Sequence, residues 1–283
     1  MMNYHFHDEH SSDGSRPLIE HCEAARRGGV DEICVTNHVE TLQGDGTWDV
    51  DFEEAVRRFE RVQESVTKAR GEFPELAIRL GAEFAFRPEW TEPLERLAES
   101  LAFDFILGSL HDVDGIDVSG PDASEFFRDR PLTAAYGRYF EALHELVEWG
   151  AFDAVAHFDL VKRYGHRAYG EFEPATLEKP IRSVLAEMGC AGIGMEVNTS
   201  GCAQWPRTPY PDESVLAWAR EEGVPFLTLG SDSHAPEHFT QGITDGLAHA
   251  SRAGWDRLTL FEARRPVGAI RIERLVAQRR VDR

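Results

Sequence analysis

Long apolar runs are absent from this sequence. No stretch comes near the ~20 consecutive apolar residues that a membrane-spanning helix needs. The N-terminus also lacks a basic segment followed by an apolar stretch, which is the pattern of an export signal. We therefore expect a cytoplasmic protein that does not bind membranes.

Cysteine is scarce, and the four cysteines are far apart. Cys22, Cys34, Cys190 and Cys202 form no C-x-x-C pair. This spacing argues against a disulfide framework and against a structural zinc site built on cysteine. It favours reduced thiols instead.

Positive charge is also in short supply. The 30 Lys and Arg residues face 50 Asp and Glu residues, which leaves a formal net charge of −20 at pH 7. This excess argues against binding to nucleic acid or to anionic membranes, so we expect a small-molecule partner. Only three of the basic residues are lysines. Arginine, the better bidentate ligand for phosphate, therefore supplies nearly all of the positive charge.

Apolar residues repeat with alternating strand and helix periods along the whole chain. The pattern predicts seven strands, at 3–7, 31–36, 76–86, 103–110, 152–156, 191–197 and 225–229. It predicts helices between them, at 16–28, 48–68, 90–101, 131–149, 174–188 and 212–222. No break in composition interrupts the alternation, which favours one domain over residues 1–283, with segment 255–283 packing on it or extending it.

Repeated strand–helix units imply parallel strands joined by right-handed crossovers. Seven such units over this length favour a closed or nearly closed α/β barrel over an open sheet. Active sites of α/β barrels lie at the carboxyl ends of the strands. The residues that follow each predicted strand are therefore the candidates for function.

The pair His5 and His7 lies in the first predicted strand. Residues two apart in a strand project to the same face, so both imidazoles can bind one metal ion. A lone His-x-His pattern is weak evidence, because most such histidines lie in a core or on a surface.

Further ligand-type side chains follow the later strands. Together with the first pair they comprise six histidines and three carboxylates: His5, His7, Asp13, His38, Glu83, His111, His157, Asp232 and His234. Glu196 and Asn198 also end a predicted strand. Nine ligands exceed the four that one zinc ion usually takes, so we expect two or three divalent ions. Mixed imidazole and carboxylate ligands suit Zn, Mn or Fe, and clustered ions of this kind bind phosphoryl groups and activate water.

The ordered motifs resemble those of the PHP (polymerase and histidinol phosphatase) family, and within it the monofunctional histidinol-phosphate phosphatases. The resemblance extends from residue 3 to about residue 240. It is carried by His5-Phe6-His7, Ser12-Asp13-Gly14, Thr36-Asn37-His38, Gly81-Ala82-Glu83, Gly108-Ser109-Leu110-His111, Ala156-His157-Phe158-Asp159 and Ser231-Asp232-Ser233-His234. The segments Asp159–Tyr164 and Glu196–Gly201 are similar to that branch.

The resemblance implies a distorted (β/α)7 barrel with up to three metal ions. One ion would be bound by His5, His7, Glu83 and Asp232, a second by Glu83, His111 and His157, and a third by Asp13, His38 and His234. Glu83 would bridge two ions, and Glu83 and Asp232 would be the catalytic residues. Asp232 and a water molecule are equal candidates for the general acid that protonates the leaving alkoxide. His10 competes with Asp13 as a ligand from the first loop.

The resemblance also implies a reaction, the hydrolysis of L-histidinol phosphate in histidine biosynthesis. Arg163, expected in a loop on the active face, and Arg207 would bind the phosphate group. Asn3 and Asn37 stand where the family usually has an acid, and we expect both to orient a ligating imidazole. The alternatives are a phosphoesterase for another small phosphate ester or nucleotide, and a catalytically silent binding protein.

Overall fold

The computed structural model describes residues 1–43, 47–120, 123–273 and 275. Its strands are β1 (Met2–Asn3), β2 (Glu32–Val35), β3 (Thr41–Leu42), β4 (Trp48–Asp49), β5 (Ala77–Ala85), β6 (Phe105–Ser109), β7 (Asp112–Val113), β8 (Ile116–Asp117), β9 (Ala154–Val155), β10 (Gly194–Asn198), β11 (Leu227–Gly230), β12 (Arg257–Glu262) and β13 (Arg265–Arg271).

Seven of these strands form one parallel sheet in the order β1-β2-β5-β6-β9-β10-β11. The residues after β1 are hydrogen-bonded to the residues around the end of β11. Tyr4 N donates to Leu229 O at 2.8 Å, His7 N donates to Ser233 O at 2.9 Å, and Asp232 N donates to His5 O at 2.7 Å. The sheet is thus a nearly closed barrel, and the predicted fold class is confirmed.

The helices are α1 (Leu18–Arg27), α2 (Phe52–Glu72), α3 (Thr91–Ser100), α4 (Ser124–Phe127), α5 (Leu132–Trp149), α6 (Lys162–Tyr169), α7 (Glu178–Ala191), α8 (Glu213–Glu221) and α9 (Ile243–Arg252). Short 3₁₀ turns cover Pro88–Trp90, Pro174–Leu177, Ser200–Cys202 and Pro236–His238. Within the described part of the chain, no helix is both long and apolar enough to cross a membrane.

Several predicted elements have different bounds in the structure. Helix α2 begins at Phe52, where Asp51 caps it by accepting a hydrogen bond from Glu54 N at 2.8 Å. Trp48, predicted to open this helix, lies in β4 and pairs with Leu42 of β3. Residues 115–130, which lie between the predicted strand 103–110 and the predicted helix 131–149, contain β8 and α4. Strand β1 ends at Asn3, and the chain from Tyr4 onward bonds to β11 and to the loop that follows it.

The hairpin of β12 and β13 packs on the amino ends of the barrel strands. The Phe261 ring lies 5.0 Å from the Phe105 ring, and Phe261 N donates to the Tyr4 hydroxyl at 2.9 Å. Arg264 at the hairpin turn contacts Asp153, which precedes β9. The hairpin therefore leaves the carboxyl ends of the strands open. Residues 274 and 276–283 lie outside the described residues, so the prediction for the full segment 255–283 and for a single domain stays a prediction.

Candidate metal centre and cavity

The carboxyl ends of the barrel strands bring the predicted ligands together. Each ligand is placed by the strand that it follows or ends, and the nearest pairs of ligand atoms lie between 2.8 and 3.7 Å apart. The residues brought together are His5, His7, Asp13, His38, Glu83, His111, His157, Asp232 and His234.

Glu83 lies at the centre of this group and is almost fully buried. Its two carboxylate oxygens face different imidazoles. Oε2 lies 3.1 Å from His38 Nδ1, 3.2 Å from His5 Nε2 and 3.7 Å from His7 Nε2, whereas Oε1 lies 3.0 Å from His157 Nε2 and 3.3 Å from His111 Nε2. A carboxylate with one oxygen toward each side is placed as a bridging ligand would be.

Two further carboxylates lie on one side of Glu83. Asp232 Oδ1 is 3.3 Å from His7 Nε2 and 3.5 Å from His5 Nε2. Asp13 Oδ2 is 2.8 Å from His234 Nε2 and 3.4 Å from His38 Nε2. His10, the alternative to Asp13, instead places Nε2 3.1 Å from Ser65 Oγ.

The donor set fits divalent metal ions. Three groups have ligand atoms within 4.8 Å of one another: His7 with Asp13, His38 and His234; His5 with His7 and Asp232; and His38 with Glu83 and His111. Imidazole nitrogens and carboxylate oxygens are the ligands that Zn, Mn and Fe share. These groups overlap the three predicted ligand sets without matching them fully, since His7 and His38 each occur in two groups.

The electrostatics of the centre also favour bound cations. Burial alone would raise the pKa of Glu83, but the imidazoles of His38, His5 and His111 hold the pKa well below its usual value. Burial disfavours the charged form of His111, yet Glu83 and Glu40 raise the pKa of His111 to about 9. The carboxylates thus stay ionised at neutral pH and stabilise positive charge among the histidines.

An outer carboxylate supports two of the ligands. Glu196 Oε1 lies 2.8 Å from His5 Nδ1, and Glu196 Oε2 accepts a hydrogen bond from the backbone N–H of His157 at 2.9 Å. Gly230 allows this contact, because a Cβ atom there would lie 2.2 Å from Glu196 Oε1. Sequence reasoning noted Glu196 at a strand end but assigned it no role.

Two ligand residues have strained backbones. The φ angle is +52° at Asp232 and +23° at His157, in a range that residues with a Cβ atom rarely adopt. Such conformations persist where surrounding structure enforces them, and they cluster at functional sites. Here the hydrogen bonds from Asp232 N to His5 O and from His157 N to Glu196 supply that constraint.

A cavity of about 400 Å³ opens beside the ligands. Glu83, His111, His157, Asp232 and other ligands line one side of it. The other lining residues include the aromatic and charged side chains of Trp48, Phe86, Arg87, Trp90, Asp112, Asp117 and Arg163. The cavity therefore combines a metal-binding wall with space for a small organic molecule.

The two predicted phosphate-binding arginines have different positions. Arg163 lines the cavity from the first turn of α6, not from a loop as predicted, and its Nη1 donates to Ser119 O at 3.2 Å. Arg207 is exposed and does not line the cavity. Its Nη1 donates to Ala203 O at 2.9 Å. The structure thus brings Arg163, but not Arg207, next to the ligands.

Asn3 and Asn37 were expected to orient a ligating imidazole, and this expectation is wrong. Asn3 Nδ2 donates to Ser231 Oγ at 2.8 Å and to Phe239 O at 3.0 Å. Asn37 donates to Asp8 Oδ1 at 2.7 Å and accepts from Asp8 N at 2.9 Å. Both amides fasten the loops that carry ligands, and neither has a hydrogen bond to an imidazole within the described ranges.

Sequence reasoning missed two groups at this site. Glu40 is buried beside His38 and His111, and Arg87 forms an ion pair with Asp112 at 3.0 Å on the cavity wall. Glu40 lies two residues after His38, so its nearness to a predicted ligand was the available signal. Arg87 follows β5 by two residues, which is the signal used for the other strand ends.

Comparison with known proteins places these observations in a family. The model of the PHP domain matches residues 3–200 of the chain. The chain belongs to the PHP domain family. A probable histidinol-phosphatase of Deinococcus radiodurans is 27% identical over 218 residues, covering 77% of this chain and 80% of that protein. A histidinol-phosphatase of Lactococcus lactis is 24% identical over 262 residues, covering 92% of this chain and 94% of that protein.

Solved PHP structures have the same fold. The crystal structure of histidinol phosphate phosphatase from Lactococcus lactis, complexed with Zn, L-histidinol and phosphate, superposes with a TM-score of 0.80. It is 22% identical in sequence, and the match covers 94% of this chain and 98% of that chain. The crystal structure of the putative histidinol phosphatase hisK from Listeria monocytogenes gives a TM-score of 0.72 at 18% identity, and the match covers 86% of this chain and 99% of that chain.

Proposed function

We propose that this protein is a metal-dependent phosphatase that hydrolyses L-histidinol phosphate to L-histidinol and phosphate. The observation that carries the proposal is the convergence of eight ligand-type side chains around the buried ninth, Glu83, on the wall of a cavity that also contains Arg163. Relatives named as histidinol-phosphatases over most of this chain's length support the choice of substrate.

Two to three divalent ions, Zn, Mn or Fe, would occupy the centre. His5, His7, Glu83 and Asp232 would hold one, Glu83, His111 and His157 a second, and Asp13, His38 and His234 a third. Bound ions would polarise the phosphoryl group and lower the pKa of a coordinated water molecule. Glu83 would keep the ions together through its two oxygens.

Arg163 would bind the phosphate group of the substrate. Its side chain is half-buried at the cavity and is held by the carbonyl of Ser119. A guanidinium makes two parallel hydrogen bonds to phosphate oxygens, which fixes the orientation of the ester. Arg207 was a second candidate, but its exposed position gives this role no structural support.

Asp232 would orient the attacking water and take part in proton transfer to the leaving alkoxide. Its pKa lies well below the usual value, because His5, His7 and His234 outweigh the effect of burial. The ionised carboxylate would accept a hydrogen bond from the attacking water and orient it, and Asp232 or a water molecule would pass the proton that this water loses to the alkoxide of histidinol. Water and the phosphate ester are then consumed, and the alcohol and phosphate are released.

The remaining proposals concern the setting of the enzyme. We propose a small phosphate ester as its partner, with neither nucleic acid nor membrane, in line with the net charge of −20. We also propose a cytoplasmic location and one domain over residues 1–283.

Phosphate release tests this function. The purified protein is stripped of metal and reloaded with Zn, Mn or Fe, and its ion content is measured by elemental analysis. We expect two to three ions per chain and faster turnover of L-histidinol phosphate than of phosphoserine, sugar phosphates or nucleoside monophosphates. Glu83→Gln, prepared in parallel, controls for contaminating phosphatases.

Three results would contradict the proposal. The metal centre is wrong if fewer than one ion binds per chain after reloading. The substrate is wrong if fully loaded protein cleaves another ester of the panel faster, and catalysis itself is wrong if it cleaves none.

A further inference from the structure

Glu40 is a buried carboxylate beside two of the metal-ligand histidines. Only 6% of its surface is exposed. Its Oε1 lies 3.2 Å from His38 Nδ1 and 3.7 Å from His111 Nδ1. The same oxygen therefore faces Nδ1 of both rings.

The Nε2 atoms of these rings face carboxylates of the metal centre. His38 Nε2 lies 3.4 Å from Asp13 Oδ2, and His111 Nε2 lies 3.3 Å from Glu83 Oε1. His38 Nδ1 also lies 3.1 Å from Glu83 Oε2. When Glu83 is a metal ligand its oxygens are engaged, and Glu40 is the carboxylate left to accept the Nδ1 proton of His38.

The surroundings hold Glu40 in this place. Arg58, which is also buried, donates from Nη2 to the carbonyl of Val39, the residue before Glu40. Glu40 Oε2 and His38 Nδ1 are both buried and have no hydrogen-bond partner within the described ranges. Burying unpaired polar atoms is costly, and the 3.2 Å between Glu40 Oε1 and His38 Nδ1 is short enough for a hydrogen bond to form.

We infer that Glu40 is a positioning residue that fixes the orientation of His38 and His111 and thereby couples two metal ions. A carboxylate that accepts the outer N–H of a ligating imidazole sets its tautomer and strengthens it as a ligand. His38 and His111 belong to different proposed ligand sets, so one carboxylate supports both. The inference rests on the metal centre of the proposed function, but not on the identity of the substrate.

Metal affinity measured without substrate tests the inference. Glu40→Gln keeps the shape and removes the charge, and Glu40→Asp keeps the charge but shortens the reach. Asp117→Asn is the matched control, because Asp117 lines the same cavity and its hydrogen bonds go to Ser119 and Gly120. Each protein is dialysed against buffered free Zn²⁺ over a range of concentrations, and bound zinc is counted.

We expect Glu40→Gln to need about 10–100-fold more free Zn²⁺ to fill the two metal sites that contain His38 and His111. A loss of this size is typical when a carboxylate that supports a ligand is removed. Glu40→Asp should lie between wild type and Glu40→Gln, whereas Asp117→Asn should bind zinc as wild type does. Saturating zinc should restore the full ion count in Glu40→Gln. The Glu40→Asp variant supplies the same comparison if Glu40→Gln does not fold.

Three results would overturn the inference. Wild-type zinc binding by both Glu40 variants would leave Glu40 without a positioning role. An ion that no zinc concentration restores would make Glu40 a direct ligand. Unchanged zinc binding with a raised KM would make it a substrate contact. Failure of the proposed function is a separate result, because fully loaded wild-type protein would then release no phosphate from histidinol phosphate.

Discussion

The carboxylate of Glu196 lies 2.8 Å from Nδ1 of His5, deep inside the barrel and out of contact with solvent. The contact leaves His5 Nε2 free to face Glu83 and Asp232. A histidine that binds a metal through Nε2 is a better ligand when Nδ1–H donates to a carboxylate. Glu196 therefore determines which nitrogen of His5 faces the metal centre.

Glu196→Gln should weaken binding of the ion held by His5. We expect a loss of about 10–100-fold in affinity for that ion, because the amide is uncharged and presents a donor as readily as an acceptor. Zinc titration with elemental analysis measures the loss. Glu75→Gln, at an exposed glutamate, is the control. Equal zinc affinity in the two variants would remove Glu196 from this role.

Glu83→Gln should reduce metal content and turnover more than His38→Ala does. The two oxygens of Glu83 together lie near five imidazoles, so this carboxylate is shared between proposed metal sites. His38 belongs to one proposed site. Loss of a shared direct ligand should exceed the about 10–100-fold effect typical of outer partners. Ion content and turnover are compared in the two variants. If Glu83→Gln keeps wild-type values of both, Glu83 is not the bridge.

Arg163→Ala should lower kcat/KM for histidinol phosphate by about tenfold to several hundredfold, because charge-assisted hydrogen bonds contribute roughly 1.5–3 kcal/mol each. Arg163→Lys should recover part of that loss, since lysine keeps the charge but not the planar fork. Metal content should not change in either variant.

Arg167→Ala is the matched control for Arg163. Both guanidinium groups lie just over 5 Å from the Tyr164 ring, at 5.1 and 5.2 Å, but Arg167 is exposed and does not line the cavity. Arg207→Ala should likewise have little effect, because that side chain is exposed and bound to Ala203 O. Near-wild-type kinetics for Arg163→Ala would exclude Arg163 from phosphate binding.

His21 should make the protein less stable in mild acid. It is buried against Phe6 and Phe239, and burial lowers the pKa of His21 to about 4. In the unfolded chain the pKa is about 6.5, so between these values the unfolded state binds a proton that the folded state does not. The His21 contribution to the free energy of unfolding should therefore fall by about 2 kcal/mol from about pH 7.5 to about pH 5.

Urea unfolding of wild type and His21→Phe at the two pH values measures this effect. The variant keeps a ring but cannot titrate, so the loss of stability in acid should be smaller in the variant by that amount. Other histidines titrate equally in both proteins and cancel in the comparison. The same loss in both proteins would show that His21 does not contribute.

The barrel and the ligands were open to prediction because they depend on local patterns. The spacing of apolar residues in a strand or helix can be read from consecutive residues. Parallel strands of a barrel also end on the same side of it. His38, His111 and His157 were therefore predictable as neighbours from their positions after strands, without any knowledge of distances.

Other features depend on contacts between distant parts of the chain, and only the tertiary structure decided them. Residues 4–7 close the barrel by bonding to the last barrel strand and the loop after it, more than 200 residues away. Asn3 and Asn37 form hydrogen bonds to loop residues and not to imidazoles, because a side-chain amide bonds to whichever partner the fold places beside it. Arg163 and Arg207 were both candidates from the sequence, and the packing of α6 brings Arg163 to the cavity. Hydrophobic and polar periodicity thus determined which elements form and in which order, whereas their bounds and side-chain partners followed from how those elements pack.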